Sequence, residues 1–186
     1  MSHRKVILVG GGARSGKSAH ALALARSLGA RRTFIATARR YDADLSARID
    51  RHVEERGADF ATVEEPVDLP GRLAALDSAD VALIDCLTLW VSNLLVDGAD
   101  DAAVDARLED LCRVLAAPPC HVVLVTNEVG MGVHPETALG RRFRDLAGRG
   151  HQRIAVLADE VHFVVMGVVL RLSPGPVAAL TPAVGG

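Results

Sequence analysis

With 186 residues, 49% hydrophobic and 24% charged, the chain is long enough for one domain with a substantial core. A net charge of −2 excludes a general nucleic-acid or membrane surface, and 3% aromatics argue against base-stacking platforms. No apolar run approaches a membrane span and Val6–Val9 is too short for a signal-peptide core, so a cytoplasmic protein is expected.

The first element is the apolar run Val6-Ile7-Leu8-Val9, which leads into three glycines and then into an alanine- and leucine-rich stretch. Between strand and helix stand Gly11, Gly12, Ala13, Arg14, Ser15, Gly16, Lys17 and Ser18, a complete phosphate-loop signature in its proper context. Glycines let successive backbone N–H groups turn inward toward phosphate oxygens, and the helix that starts there adds its positive end. The pattern sets Lys17 to reach the β- and γ-phosphates and Ser18 to ligate Mg²⁺. A plain glycine-rich turn is the competing reading, but it has no need of Lys and Ser at these two places. Binding of a nucleoside triphosphate is therefore expected.

The first helix is predicted over about 16–28, with Ala21, Leu22, Ala25 and Leu28 at helical spacing and Gly29 as its stop. Residues 32–37 read as a second strand ending in small residues. A helix follows over about 43–56, capped by Asp42, with Leu45, Ile49 and Val53 on one face. Arg48, His52 and Arg56 share another side of it, a row that on pattern alone is more often a solvated face. Phe60–Pro66 reads as a short strand. Residues 80–86 form an apolar strand ending in Asp85, which after a phosphate loop reads as the acid that holds Mg²⁺ directly or through water.

Helices are expected over 87–95, over 102–116 before Pro118-Pro119, and from Pro135 to about Ala158. Strands are expected over 121–126, 160–166 and, at the edge, 168–172. Asn127–Gly132, at the end of one strand, is a site candidate or a plain connecting loop. The Pro/Gly/Ala-rich tail 173–186 has little to pack with and is expected to be disordered. Cys86, Cys112 and Cys120 have no metal-ligand spacing and read as small hydrophobes in a reducing compartment. Alternating strands and helices predict a single α/β domain over 1–172, a mainly parallel sheet of the phosphate-loop NTPase type covered on both faces.

In order along the chain, GGARSGKS (11–18), ARIDRH (47–52), Thr62–Pro66, LIDCLTLWVSNLL (83–95), VTNEVGMG (125–132) and RRFRDLAG (141–148) resemble one family. It is the bifunctional adenosylcobinamide kinase/adenosylcobinamide-phosphate guanylyltransferase family of cobalamin assembly. The resemblance implies phosphorylation of the aminopropanol hydroxyl of adenosylcobinamide with ATP or GTP. Transfer of GMP from GTP to the new phosphate then follows, through GMP carried on His52. It carries nucleotide contacts to the phosphate loop 11–18, to Ala36, Thr37 and Ala38, to Val53, Glu54, Glu55 and Arg56, and less surely to Glu64 and Asp85. Lys17 would be catalytic beside His52, Ser18 and Asp85 would hold Mg²⁺, and the partners would be the corrinoid, GTP, ATP and other copies of the chain, as in a trimer. The sequence departs from the family pattern at Phe60, His134 and His151.

Physical chemistry is compatible with that assignment. A neutral imidazole, with an unperturbed pKa of about 6.5, is a competent nucleophile near neutrality, and Arg48 and Arg56 could steady a triphosphate. Two other readings compete. One is a monofunctional phosphate-loop kinase with a structural His52. The other is a nucleotide switch, which Thr126-Asn127-Glu128-Val129 disfavours because it lacks the Lys and Asp of the guanine-reading tetrapeptide.

Overall fold

The computed structural model describes residues 3–39 and 58–180. The helix expected over 43–56, and with it Arg48, His52, Val53, Glu54, Glu55 and Arg56, lies outside the described residues, as do residues 181–186.

Strands β1 (Val6–Gly11), β2 (Arg32–Ala36), β3 (Ala61–Glu64), β4 (Val81–Asp85), β5 (His121–Asn127), β6 (Glu160–Val165), β7 (Val168–Ser173) and β8 (Ala178–Leu180) form one sheet. Its order is β3-β2-β4-β5-β1-β6-β7-β8. The pairings from β3 to β6 are parallel, while β7 and β8 are added antiparallel. The described helices are α1 (Lys17–Leu28), α2 (Leu69–Ala74), α3 (Leu87–Val96), α4 (Asp101–Ala116) and α5 (Ala138–Leu157).

Central strands read as unbroken apolar runs because both of their faces are covered. Successive side chains of β1, β4 and β5 divide between two cores. Val6, Leu8, Ala82, Ile84, Val122 and Leu124 pack with α3, α4 and α5. Ile7, Val9, Leu83, Val123 and Val125 pack under Ala21, Leu22 and Ala25 of α1. The expected fold class holds.

Local signals account for the helix ends. Asp100 caps α4 by accepting from Ala103 N, and Thr137 caps α5 by accepting from Gly140 N. Helix α2 has no counterpart in the sequence reading; six residues with an internal proline carry too little periodicity, and the turn depends on the Asp68 cap accepting from Gly71 N. The tail differs too. Ser173 ends β7 and Ala178–Leu180 pairs with it, because the open edge of β7 offers backbone groups that need no apolar side chain to engage. The expected edge strand is thus the second from the edge.

One polar clamp fixes the carboxyl ends of β2 and β4. Thr37 is fully buried, its hydroxyl donating to Cys86 O and accepting from Cys86 N, both at 2.8 Å. Asn93 Nδ2 on α3 donates to Thr37 O at 2.7 Å and to Pro66 O at 3.0 Å. Thr37→Val keeps the volume but strands a buried donor and acceptor, so it should cost about 2–4 kcal/mol in urea unfolding. A loss below about 1 kcal/mol would mean that the backbone at Cys86 finds other partners.

Candidate active site

The site begins where β1 has to become α1 within five residues. Gly11 has no room for a side chain: a Cβ there would press on Val164 O and lie 2.7 Å from Ser15 Oγ. Gly16 closes the turn at φ 98°, in the left-handed region, directly before α1. The loop is fastened on both sides, by Glu128 N donating to Gly11 O at 3.0 Å and Gly167 N donating to Ser15 O at 3.1 Å. Ser15 Oγ is buried with no hydrogen-bond partner among the described residues, an orphaned polar atom inside the loop. Lys17 is buried in the first turn and its Nζ donates to Gly12 O at 3.1 Å. Ser18 follows, half-buried.

The topology explains why a ligand belongs here. After β1 the chain turns to the α1 face, and after β5 it turns to the α5 face, so the crevice between these neighbours is the switch point of the sheet. Asp85 ends β4, two strand positions from β1, or about 10 Å at the usual spacing. Glu64 ends the outermost strand, four positions from β1 and about 19 Å away. The predicted residues therefore form a line along the carboxyl edge rather than a knot. Lys17 and Ser18 stand at one end, Asp85 and Ala36–Ala38 in the middle, and Glu64 at the far end.

Lys17 and Asp85 share a field. The Cys86 thiol is pushed up to about 11, first by burial and then by the Asp85 carboxylate, while Lys17 pulls the other way. For a magnesium ion, a serine hydroxyl and one carboxylate are suitable hard donors, completed in such sites by phosphate oxygens and water. Ser18 and Asp85 fit that pattern. No three His, Cys, Asp or Glu side chains gather into a metal cage among the described residues.

Beneath the loop lies a polar chain that the sequence reading missed. His20, in the first turn of α1, has Nε2 at 2.9 Å from His162 Nδ1 on β6. His162 Nε2 is 3.0 Å from Glu160 Oε2, and Lys5 Nζ donates to Glu160 Oε1 at 2.9 Å. Since Glu160 accepts, His162 carries its proton on Nε2 and His20 donates to His162 Nδ1. The signal for this chain was slight, because two histidines 142 positions apart show no spacing rule.

The match to known proteins covers almost the whole chain. Residues 7–172 fit the model of the family described as cobinamide kinase / cobinamide phosphate guanyltransferase. The bifunctional adenosylcobalamin biosynthesis protein CobU of Salmonella typhimurium is 43% identical over 180 residues, covering 90% of this chain and 99% of that protein. Its namesake from Escherichia coli is 41% identical over the same shares. The bifunctional adenosylcobalamin biosynthesis protein CobP of Pseudomonas aeruginosa is 41% identical over 170 residues, 91% of this chain and 98% of that protein. The chain belongs to the cobinamide kinase/cobinamide phosphate guanyltransferase family. It is thus an enzyme of cobalamin biosynthesis, and no described helix is long and apolar enough to cross a membrane.

Within this family member, the departures from the pattern have local accounts. Phe60 meets Phe34 edge-on at 6.4 Å and carries the Arg26 and Arg32 guanidinium groups at 5.7 and 6.0 Å. His151 Nε2 lies 2.5 Å from Thr126 Oγ1, on the last paired residues of β5. His134 Nδ1 lies 3.0 Å from Arg144 Nη1.

Burial, and for His20 also the facing His162, lowers both imidazoles, His20 to about 4. Unfolded chain takes up these protons near pH 6.5, before the folded protein can. Stability is therefore full above about pH 6.5 and should fall as pH drops toward about 4. The lowered carboxylates Asp59, Asp80 and Asp159 act at lower pH, so the upper part of this window belongs to the histidines. Urea unfolding at stepped pH should show the decline starting near 6.5, and His162→Gln should make it shallower, leaving the share of His151, which burial also lowers. An unchanged profile in that variant would place the decline elsewhere.

Proposed function

We propose that this enzyme phosphorylates the aminopropanol hydroxyl of adenosylcobinamide and then transfers GMP from GTP to the product, through GMP carried on His52. The supporting observation is the phosphate loop itself: Gly16 in the left-handed turn, with Lys17 and Ser18 in the helical turn that follows, in a chain of this family.

In the first step the hydroxyl oxygen attacks the γ-phosphorus of ATP or GTP. The bond to the β-phosphate oxygen breaks, the nucleoside diphosphate leaves, and the hydroxyl proton is lost to solvent. Loop N–H groups and Lys17 hold the β- and γ-phosphates in line and spread the developing charge. Ser18 and Asp85 would hold Mg²⁺, which when bound neutralises charge on the same oxygens.

In the second step an imidazole nitrogen of neutral His52 attacks the α-phosphorus of GTP. A P–N bond forms, the α–β phosphoanhydride breaks, and pyrophosphate departs. A phosphate oxygen of adenosylcobinamide phosphate then displaces the imidazole, which yields adenosylcobinamide-GDP and restores His52. Ala36–Ala38, Val53–Arg56 and Glu64 would line the nucleotide. A soluble homo-oligomer, as in a trimer, fits this reading.

Lys17→Ala should lower phosphoryl transfer by on the order of a hundredfold or more in folded protein. Near-normal kinase turnover would remove Lys17 from this role. Incubation of wild type with GTP labelled in the α-phosphate should leave GMP on the denatured protein, stable in alkali and lost in acid, as a phosphoramidate requires. His52→Asn should abolish that label and GMP transfer while part of the kinase activity survives. Retained GMP transfer would refute the covalent route.

A further inference from the structure

Exposed apolar side chains are common and mostly need no account, so their placement is what carries meaning. Among the described residues the four most exposed large hydrophobics are Val133 (94%), Met166 (94%), Val156 (86%) and Met131 (80%). Val156 lies on the last turns of α5. The other three tip the two segments that flank the phosphate loop. Met131 and Val133 follow β5, and Met166 makes the turn between β6 and β7. Strands β5 and β6 are the neighbours of β1 in the sheet.

Both segments are fastened to the loop they flank. Glu128, three residues before Met131, donates its N–H to Gly11 O at 3.0 Å, and Gly167, next to Met166, donates to Ser15 O at 3.1 Å. Stability does not explain these tips. Met166 sits at φ 51°, where glycine or asparagine is ordinarily favoured, and it buries almost nothing in return.

We infer that Met131, Val133 and Met166 form an apolar rim on which the corrin macrocycle of the acceptor rests while its hydroxyl-bearing arm reaches down to the γ-phosphate. This rests on the proposed function, which puts a corrinoid alcohol at the mouth of the loop. A corrin is broad, rigid and edged with methyl groups and amide arms, too large for a crevice at strand ends to enclose. It requires an open apolar surface beside the phosphates. Methionine suits an irregular rim of this kind, since three rotatable bonds and a polarisable sulfur adapt to an uneven outline. Each such contact removes apolar surface from water, and two or three together amount to roughly a tenfold change in affinity or more.

The test uses full-length enzyme and adenosylcobinamide, whose visible absorbance reports binding in equilibrium dialysis. The double variant Met131→Gln/Val133→Asn, and separately Met166→Gln, should raise the Kd and KM for adenosylcobinamide about tenfold. The KM for GTP, labelling of the protein by GTP without corrinoid, and the mass in sedimentation should stay as in wild type. Unchanged corrinoid affinity in both variants overturns the rim. A changed sedimentation mass with parallel loss of GTP and corrinoid affinity also overturns it, in favour of a contact between copies of the chain. Wild-type protein that takes GMP from GTP yet neither binds nor phosphorylates adenosylcobinamide overturns the functional reading first, and the rim with it.

Discussion

The constraint on which the rest depends is the space denied to a side chain at Gly11. A Cβ there would run into Val164 O on β6 and Ser15 Oγ within the loop. That close approach folds the loop back against the strand next to β1, leaving Ser15 Oγ buried without a hydrogen-bond partner among the described residues. The binding surface is therefore backbone and small polar groups, which approach a phosphate oxygen where larger side chains could not. Hydrogen bonds from Glu128 N and Gly167 N fasten the loop on either side.

The sheet order then distributes charge. β5 stands between β1 and β4, so Asp85, at the end of β4, belongs to a strand two positions along the sheet from the one that leads into the phosphate loop. Asp85 and Lys17 both act on Cys86, in opposite directions, so the two charges bear on the same strand end. The clamp among Thr37, Cys86 and Asn93 does the complementary work, because it satisfies the buried backbone at the strand ends. Asn127 Nδ2, which donates to Thr88 Oγ1 at 3.3 Å, extends the same tie to β5. Strand ends that carry small and polar residues would fray without these bonds.

What could be read in the sequence was what leaves a local pattern. The phosphate loop is contiguous, so its place between β1 and α1 was legible. Central strands were legible because burial on two faces makes them continuous apolar runs, as in Val6–Val9 and Val122–Val125. The polar chain of Lys5, Glu160, His162 and His20 was not, since it depends on the pairing of β1 with β6 and has no sequence period. β8 escaped because three residues are too few for a strand period to register, and α2 because a single capped turn is too short for helical spacing to register. The proposal for His52 rests on resemblance, since the sequence pattern it shares with Arg48 and Arg56 also describes an ordinary solvated face.

The two ends of the site differ in a way that follows from what each has to meet. Phosphates have one geometry and a fixed charge, so a rigid ring of N–H groups and one ammonium can serve any triphosphate without adjustment. Rigidity there is supplied by Gly11, Gly16, the bonds to Glu128 and Gly167, and, below, His20 held against His162. An acceptor that is large and uneven presents the opposite problem, and a preformed pocket for it would need a second layer of structure over the sheet edge. On the proposed reading, Met131, Val133 and Met166, carried on two segments already tied to the loop, would take the place of that layer. The fixed points lie at Gly11 and Ser15, and freedom is confined to side chains that touch little else. Softening the loop would misplace the phosphates, whereas stiffening the tips would narrow what could rest on them; on the proposed reading the two demands would fall on neighbouring strands.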